Sequence, residues 1–197
     1  MLNIDCIGEI CPIPVIKTKK ALKEADNVVV LVDNEISLQN VEKFVLAQGY
    51  IFNYEEKIDN DKYFIITINK KAVDDKYSQP ELLATQTNQV VIISSDALGQ
   101  GDNELGKYLM KSFIYALTQM DNLPNTLIFY NKGVLLCADN SEFLPDLKSL
   151  SDAGVSIQSC GLCVEYFGLE DRIAIGQITN MYSIIDLMQK ASSVIRP

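Results

Sequence analysis

Cys11-Pro12-Ile13-Pro14-Val15-Ile16-Lys17-Thr18-Lys19-Lys20-Ala21-Leu22 decides how residues 1–70 fold. Proline is tolerated in the first turn of a helix, where the amide it lacks would have no intrahelical partner. The stretch therefore predicts a helix with Pro12 at its first position, Cys11 as its cap and an end near Ala25. A sulfur so placed meets the positive end of the helix macrodipole, which favours thiolate and lowers the free-cysteine pKa of about 8.5. Cys11 is thereby marked as a nucleophile.

Before this helix, Asn3 to Cys6 reads as a short strand and Gly8 as a turn. Within it, Val15, Thr18, Leu22 and Ala25 recur at helical spacing and give one face to a sheet, while Lys17, Lys19, Lys20 and Lys23 crowd the rest. Val28-Val29-Val30-Leu31-Val32 is a β-branched run of the kind that forms buried strands, closed by Asp33-Asn34. A second helix is expected from about Ser37 to Gln48, stopped by Gly49. Tyr50 to Lys57 and Tyr63 to Asn69 read as strands joined at Asp59-Asn60-Asp61. The order β-α-β-α-β-β implies a two-layer α/β sandwich over residues 1–70.

Residues 71–88 lose this patterning and end in the polar run Thr85-Gln86-Thr87-Asn88, which marks a linker. From residue 89 onward, strands at Val90–Ser94, Thr126–Tyr130, Val155–Ser159 and Arg172–Gly176 alternate with helices. The first helix is capped by Asp102, and Leu105, Leu109, Phe113, Ala116 and Met120 repeat along it every three or four residues. Others are expected over Ser141–Ala153 and Met181–Ala191, the latter capped by Asn180, with Val194-Ile195 closing the chain. Alternation of this kind implies a three-layer α/β/α unit on a mostly parallel sheet over residues 89–197. The chain as a whole is of the α/β class.

With 48% hydrophobic and 22% charged residues, the 197-residue chain has globular composition. Its net charge of -9 argues against nucleic acid as main partner, since phosphate binding needs clustered Lys and Arg. The start Met-Leu-Asn-Ile-Asp lacks the features of a signal peptide, and no apolar run reaches the ~18 residues of a membrane span. A cytoplasmic protein is expected, with no membrane partner. Five cysteines in a reducing compartment point to chemistry rather than to a disulfide framework. The absence of histidine excludes a Cys-His dyad and disfavours zinc.

Asp5, Gly8, Cys11, Pro12 and Pro14 together resemble the signature of the TusA/SirA-like sulfur-carrier family, as does the β-α-β-α-β-β order. The resemblance implies that Cys11 carries a persulfide sulfur between a donor and an acceptor protein. The bare alternative, a cysteine that only packs at a helix start, leaves the paired prolines without purpose. Cys6, on the first strand, reads as core with a minor role open as a resolving thiol. The lysines behind Cys11 read first as a solvated helix face, and otherwise as a patch for an acidic partner or a persulfide anion.

In the second half, Cys160-Gly161-Leu162-Cys163 follows a strand at the carboxyl edge of the expected sheet, where reactive groups of open α/β sheets gather. A redox pair, half a zinc site or a persulfide relay are the chemistries of such a motif. The order of elements resembles the DsrE-like family, which implies a relay cysteine near this strand end and assembly into homo-oligomers. Cys160, nearest the strand, is favoured over Cys163 for that part. Cys137 reads as core, and Gly99-Gln100-Gly101-Asp102 as a tight turn whose helix start could border an anion pocket near Cys160.

A TusA-like unit followed by a DsrE-like unit resembles the family of sulfurtransferase-like selenium metabolism proteins called YedF. No residue separates selenium from sulfur. The expected function is a sulfur or selenium relay with Cys11, Cys160 and Cys163 as its thiols. No resident cofactor or metal is expected, only a transient adduct on cysteine. A regulatory redox sensor and a Cys-x-x-Cys thiol-disulfide oxidoreductase are the rival readings.

Overall fold

The computed structural model describes residues 1–10, 12–59, 61–70 and 88–197. The chain divides into two compact units, Met1–Glu81 and Leu82–Pro197. Cys11, Asn60 of the expected turn, and residues 71–87 of the expected linker lie outside the described residues.

In the first unit the order is β1 (Leu2–Asp5), α1 (Ile13–Glu24), β2 (Asn27–Val32), α2 (Glu35–Ala47), β3 (Ile51–Ile58) and β4 (Lys62–Asn69). The sheet runs β1-β2-β4-β3, with β1 parallel to β2 and the other pairs antiparallel. Strand period two sends Val28, Val30 and Val32 to one face, where they meet Phe64, Ile66 and Ile68 of β4. Ala21, Leu22, Leu38, Val41 and Val45 of the two helices cover that face, so the core lies between two layers. Asn34 caps α2 by accepting the Ser37 amide at 2.8 Å, and Gly49 ends it at φ +73°.

One expectation is corrected at α1. The helix begins at Ile13, and Pro12 is its cap, with Pro14 in the first turn. The reason lies in the hydrogen bonds: the Ile13 amide closes a turn on Ile10 O at 3.0 Å, and the Pro12 carbonyl accepts the helical bond from the Ile16 amide at 3.1 Å. Pro12 thus stands one place outside the helix.

In the second unit the order is β5 (Gln89–Ile93), α3 (Asn103–Thr118), β6 (Thr126–Phe129), a 3₁₀ turn (Asn131–Cys137), α4 (Leu144–Asp152), β7 (Ser156–Cys160), α5 (Gly161–Tyr166), β8 (Gln177–Thr179), α6 (Met181–Lys190) and β9 (Ser193–Ile195). The sheet runs β8-β7-β6-β5-β9 and every pair in it is parallel. Central β6 is buried along its whole length, as a strand covered on both faces must be. Val91, Ile93, Leu127, Phe129 and Ile157 pack beneath Met110, Ile114, Leu147 and Leu150. Val90, Ile92 and Ile128 pack on the opposite face against Ile184 of α6.

Of the residues that repeat along α3, Leu105 and Leu109, and Met120 beyond its end, are exposed while Phe113 packs on the core, and the buried residues of the helix are Gly106, Met110 and Ile114. The two faces have the same period, and Gly106 decides between them. A Cβ there would stand 3.0 Å from Ala97 Cβ and 3.3 Å from Leu98 O, so α3 can approach the chain this closely only on its glycine side. One further expectation fails here. The expected strand Arg172–Gly176 is absent. Ile173 makes a single antiparallel bridge with Ala138, and the sheet edge is taken instead by Gln177–Thr179. Gly176, at φ +82° and packed on Ile157, turns the chain into that strand.

Candidate functional site

The first unit gathers its motif residues at the carboxyl end of β1. Asp5 ends the strand and accepts the Ile7 amide at 3.0 Å. Gly8 takes φ +77°, a left-handed conformation that favours glycine, and donates its amide to Asp33 Oδ2 at 2.6 Å. That bond holds the Asp33 carboxyl below its usual range, aided by Asn34 at 2.9 Å. Glu9 pairs with Lys17 of α1 at 2.5 Å, and the same ammonium donates to Asp5 O at 3.4 Å. The Glu9 partnership raises the Lys17 pKa. The loop into Cys11 is therefore fastened to β1, to the end of β2 and to α1.

Cys6 is fully buried. Burial, then the neighbouring Glu9 carboxylate, push its thiol up to about 12, so it is neutral and inert at neutral pH. On α1, Pro14 is buried and its carbonyl accepts the Thr18 hydroxyl at 2.7 Å. Ile7 and Ile10 project outward from the loop, at 47% and 70% exposure. Apolar groups left in water beside a reactive motif suit contact with another protein.

In the second unit Cys160 is the last residue of β7 and caps α5. It is buried, and Cys163 packs against the cluster it belongs to. Cys163, one turn into α5, is half-buried and its Sγ accepts the Asn131 amide at 3.0 Å. Desolvation raises the Cys163 pKa, the Asn131 amide opposes this, and Cys160 adds to it. Cys163 is thus a thiol at rest, with a donor aimed at any negative charge its sulfur gains. Cys137 is buried beneath this edge, and desolvation pushes it to about 12.

The backbone needed for this contact is unusual. Asn131 has φ +50°, the one non-glycine residue with positive φ among those described. Gly133 follows, and a Cβ there would stand 2.1 Å from Ile93 O. The 3₁₀ turn is pressed against β5 through this glycine, which sets the Asn131 amide towards α5. In the sequence Asn131-Lys132-Gly133 has only the composition of a turn, since a bond made by a main-chain amide leaves no side-chain signature. Asp102 spends its carboxylate on the Leu105 amide at 2.8 Å, as a cap does. Among the described residues, no group of three or more Cys, Asp or Glu is arranged to hold a metal ion.

Comparison with known proteins covers both units of the chain. The Sulfurtransferase TusA family matches residues 2–70, and the DsrE/DsrF-like family matches residues 95–197, more than half of the chain. The chain belongs to the DsrE/DsrF-like family and carries a TusA-type domain ahead of it. "Putative sulfur carrier protein MJ0990" of Methanocaldococcus jannaschii is 37% identical over 73 residues, which are 36% of this chain and 95% of that protein. A SirA-like protein of Desulfitobacterium hafniense is 46% identical, covering 34% of this chain and 96% of that one, at a TM-score of 0.32. The ychN protein of E. coli covers 56% of this chain and 99% of its own, at 15% identity and a TM-score of 0.44.

Proposed function

We propose that the protein is a sulfur or selenium carrier that accepts the element on Cys11 and passes it on by thiolate exchange. In the sulfur case the Cys11 thiolate attacks the outer sulfur of a donor persulfide, R–S–SH. The new Cys11–sulfur bond forms as the donor S–S bond breaks, R–S⁻ leaves with the electron pair, and the proton stays on the transferred sulfur. The reverse exchange with an acceptor thiolate completes the relay. The observation that carries this reading is the loop leading into Cys11-Pro12-Ile13-Pro14, fastened through Asp5, Asp33 and Lys17 and bearing exposed Ile7 and Ile10. A carrier thiol has to be presented on a rigid element to partners that come and go.

The second unit supplies a further thiol site in which Cys163 is the outward member and Cys160 its buried neighbour. Selenium would follow the same course from a donor R–S–SeH: the Cys11 thiolate attacks the outer selenium, the S–Se bond breaks, and R–S⁻ leaves with the electron pair. A donor protein and an acceptor protein are implied, in the cytoplasm, with self-association through the second unit. Exposed Leu105, Tyr108 and Leu109 on α3 offer apolar surface for that assembly.

Intact-mass measurement after incubation with a persulfide (R–S–SH) or selenosulfide (R–S–SeH) donor tests the proposal. One added sulfur or selenium mapped to Cys11, absent in Cys11→Ala, is expected; no adduct above that on Cys6 and Cys137 would contradict it. The Cys-x-x-Cys spacing, with Cys163 packed against the cluster that holds Cys160, favours one second reading, a thiol-disulfide oxidoreductase. That reading requires a reversible Cys160–Cys163 disulfide with catalytic turnover of a disulfide substrate.

A further inference from the structure

The carboxyl edge of the second sheet holds a cleft of ≈ 480 Å³ that neither thiol fills. Ser94 and Ser95 enter it from the end of β5, Asn131 and Lys132 from the end of β6, Arg196 from the end of β9, and Gln100 from the loop before α3. Parallel strands bring all these chain ends to one edge, the edge where ligands of open α/β sheets bind.

The charge of the cleft runs against that of the protein. The chain carries -9 overall, yet neither Lys132 nor Arg196 has a carboxylate partner among the described residues. Arg196 is steadied instead by the Tyr130 ring, 5.7 Å from its guanidinium carbon. Unpaired cations beside two hydroxyls and two amide side chains form a donor set for carboxylates or similar anions, which Arg can take in bidentate fashion. Ala97 and Pro197 are the apolar side chains in the lining, so a nucleobase or flavin would find no aromatic wall. The volume lies in the range of small-molecule sites and exceeds what one compact oxyanion fills.

Asn131 ties this cleft to the chemistry. Its residue lines the cleft while its amide holds Cys163 Sγ at 3.0 Å. We infer that the cleft binds a low-molecular-weight persulfide bearing carboxylate groups, with Lys132 and Arg196 holding its anionic end and its outer sulfur delivered to Cys163. The inference rests on the relay reading and adds to it a small-molecule entry point that is separate from the protein-facing Cys11. In the step, the Cys163 thiolate bonds to the outer sulfur of R–S–SH, the S–S bond breaks, and R–S⁻ departs with the electron pair while the proton remains on the transferred sulfur. The Asn131 amide then donates to the sulfur bound to Cβ, as it does now.

The test uses the full chain and two readouts. S-methylglutathione, a carboxylate-bearing thioether that cannot transfer sulfur, is titrated by calorimetry into the wild type and into the Lys132→Gln/Arg196→Gln double variant. Sulfur loading of Cys163 is followed by peptide mass with glutathione persulfide and with an uncharged benzyl persulfide. The wild type is expected to bind the thioether and to prefer the charged donor by at least tenfold. The double variant, shown folded by circular dichroism, is expected to lose the binding at least tenfold and the preference with it. Failure of the wild type to bind the thioether, or an unchanged donor preference in the double variant, overturns the inference even if Cys11 still loads. Thioether binding without any sulfur on Cys163 overturns the delivery step, and leaves Cys11 loading to decide the relay reading separately.

Discussion

The two thiol sites of the chain are held in opposite electrostatic ways. Around the loop that leads to Cys11, carboxylates do the fastening: Asp5 accepts the Ile7 amide, Asp33 the Gly8 amide, and Glu9 the Lys17 ammonium. At the carboxyl edge of the second sheet a main-chain amide reaches the sulfur of Cys163 directly, and Lys132 and Arg196, which have no carboxylate partner among the described residues, line the cleft beyond it. The first arrangement spends its charges on shaping a loop and leaves Ile7 and Ile10 facing outward. The second gives its cations no carboxylate among the described residues. The proposed protein-facing and small-molecule-facing roles call for this difference.

The comparison breaks most readily at Gly133. Gly133→Ala drives a Cβ into Ile93 O, so it should destabilise the second unit by about 2–3 kcal/mol and abolish the Asn131–Cys163 contact. Urea unfolding followed by a fluorophore in each unit would show the first unit unmoved. Its counterpart is Ile66→Ala, which empties a fully buried position in β4 and should cost the first unit about 2–5 kcal/mol with the second unit intact.

Thiol reactivity sharpens the comparison next. Cys6 and Cys137, both pushed to about 12, should resist iodoacetamide at pH 8, whereas half-buried Cys163 should react first among the thiols of the second unit. Because its pKa is raised, Cys163 alkylation should keep climbing with pH after a free cysteine has levelled off. Cys160→Ala removes one cause of that rise and should speed the reaction at fixed pH, as mapped by peptide mass.

The smallest effect is expected at Asp33. Its folded-state pKa is depressed, so the Gly8 bond adds stability above the unfolded carboxylate pKa of about 4, and the contribution disappears as pH falls through the lower folded value. Asp33→Asn should flatten the dependence of stability on pH below about 4 and lower stability slightly at pH 7, where the carboxylate contribution is fully present. Asp33 is partly exposed, and solvent screening weakens the contribution, so acid titration of the two proteins should differ only slightly.

Much of this was legible in the residues. The β-branched run at Val28–Val32, the glycine after α2 and the caps Asn180 and Asp102 each carry a local signal that the fold obeys. The reading stopped short where two local signals were equal and packing chose. On α3 the leucine face and the face of Gly106, Met110 and Ile114 have one period, and closeness to Leu98 selected the second. At Arg172–Gly176 an alternating pattern lost to a glycine turn against Ile157. The Cys-Pro-x-Pro and Cys-x-x-Cys motifs stand out in the chain, but Asn131, Lys132 and Arg196 meet only through the parallel sheet, which joins residues far apart in sequence.

The most direct measurement is a chase. Protein loaded with ³⁴S from a donor persulfide is freed of donor and offered an excess of acceptor thiol, with peptide mass read over time. A carrier predicts ³⁴S leaving Cys11 and appearing on the acceptor, with that share of the release lost in Cys11→Ala. Label that stays on the protein, or a Cys160–Cys163 disulfide formed in its place, would contradict the account.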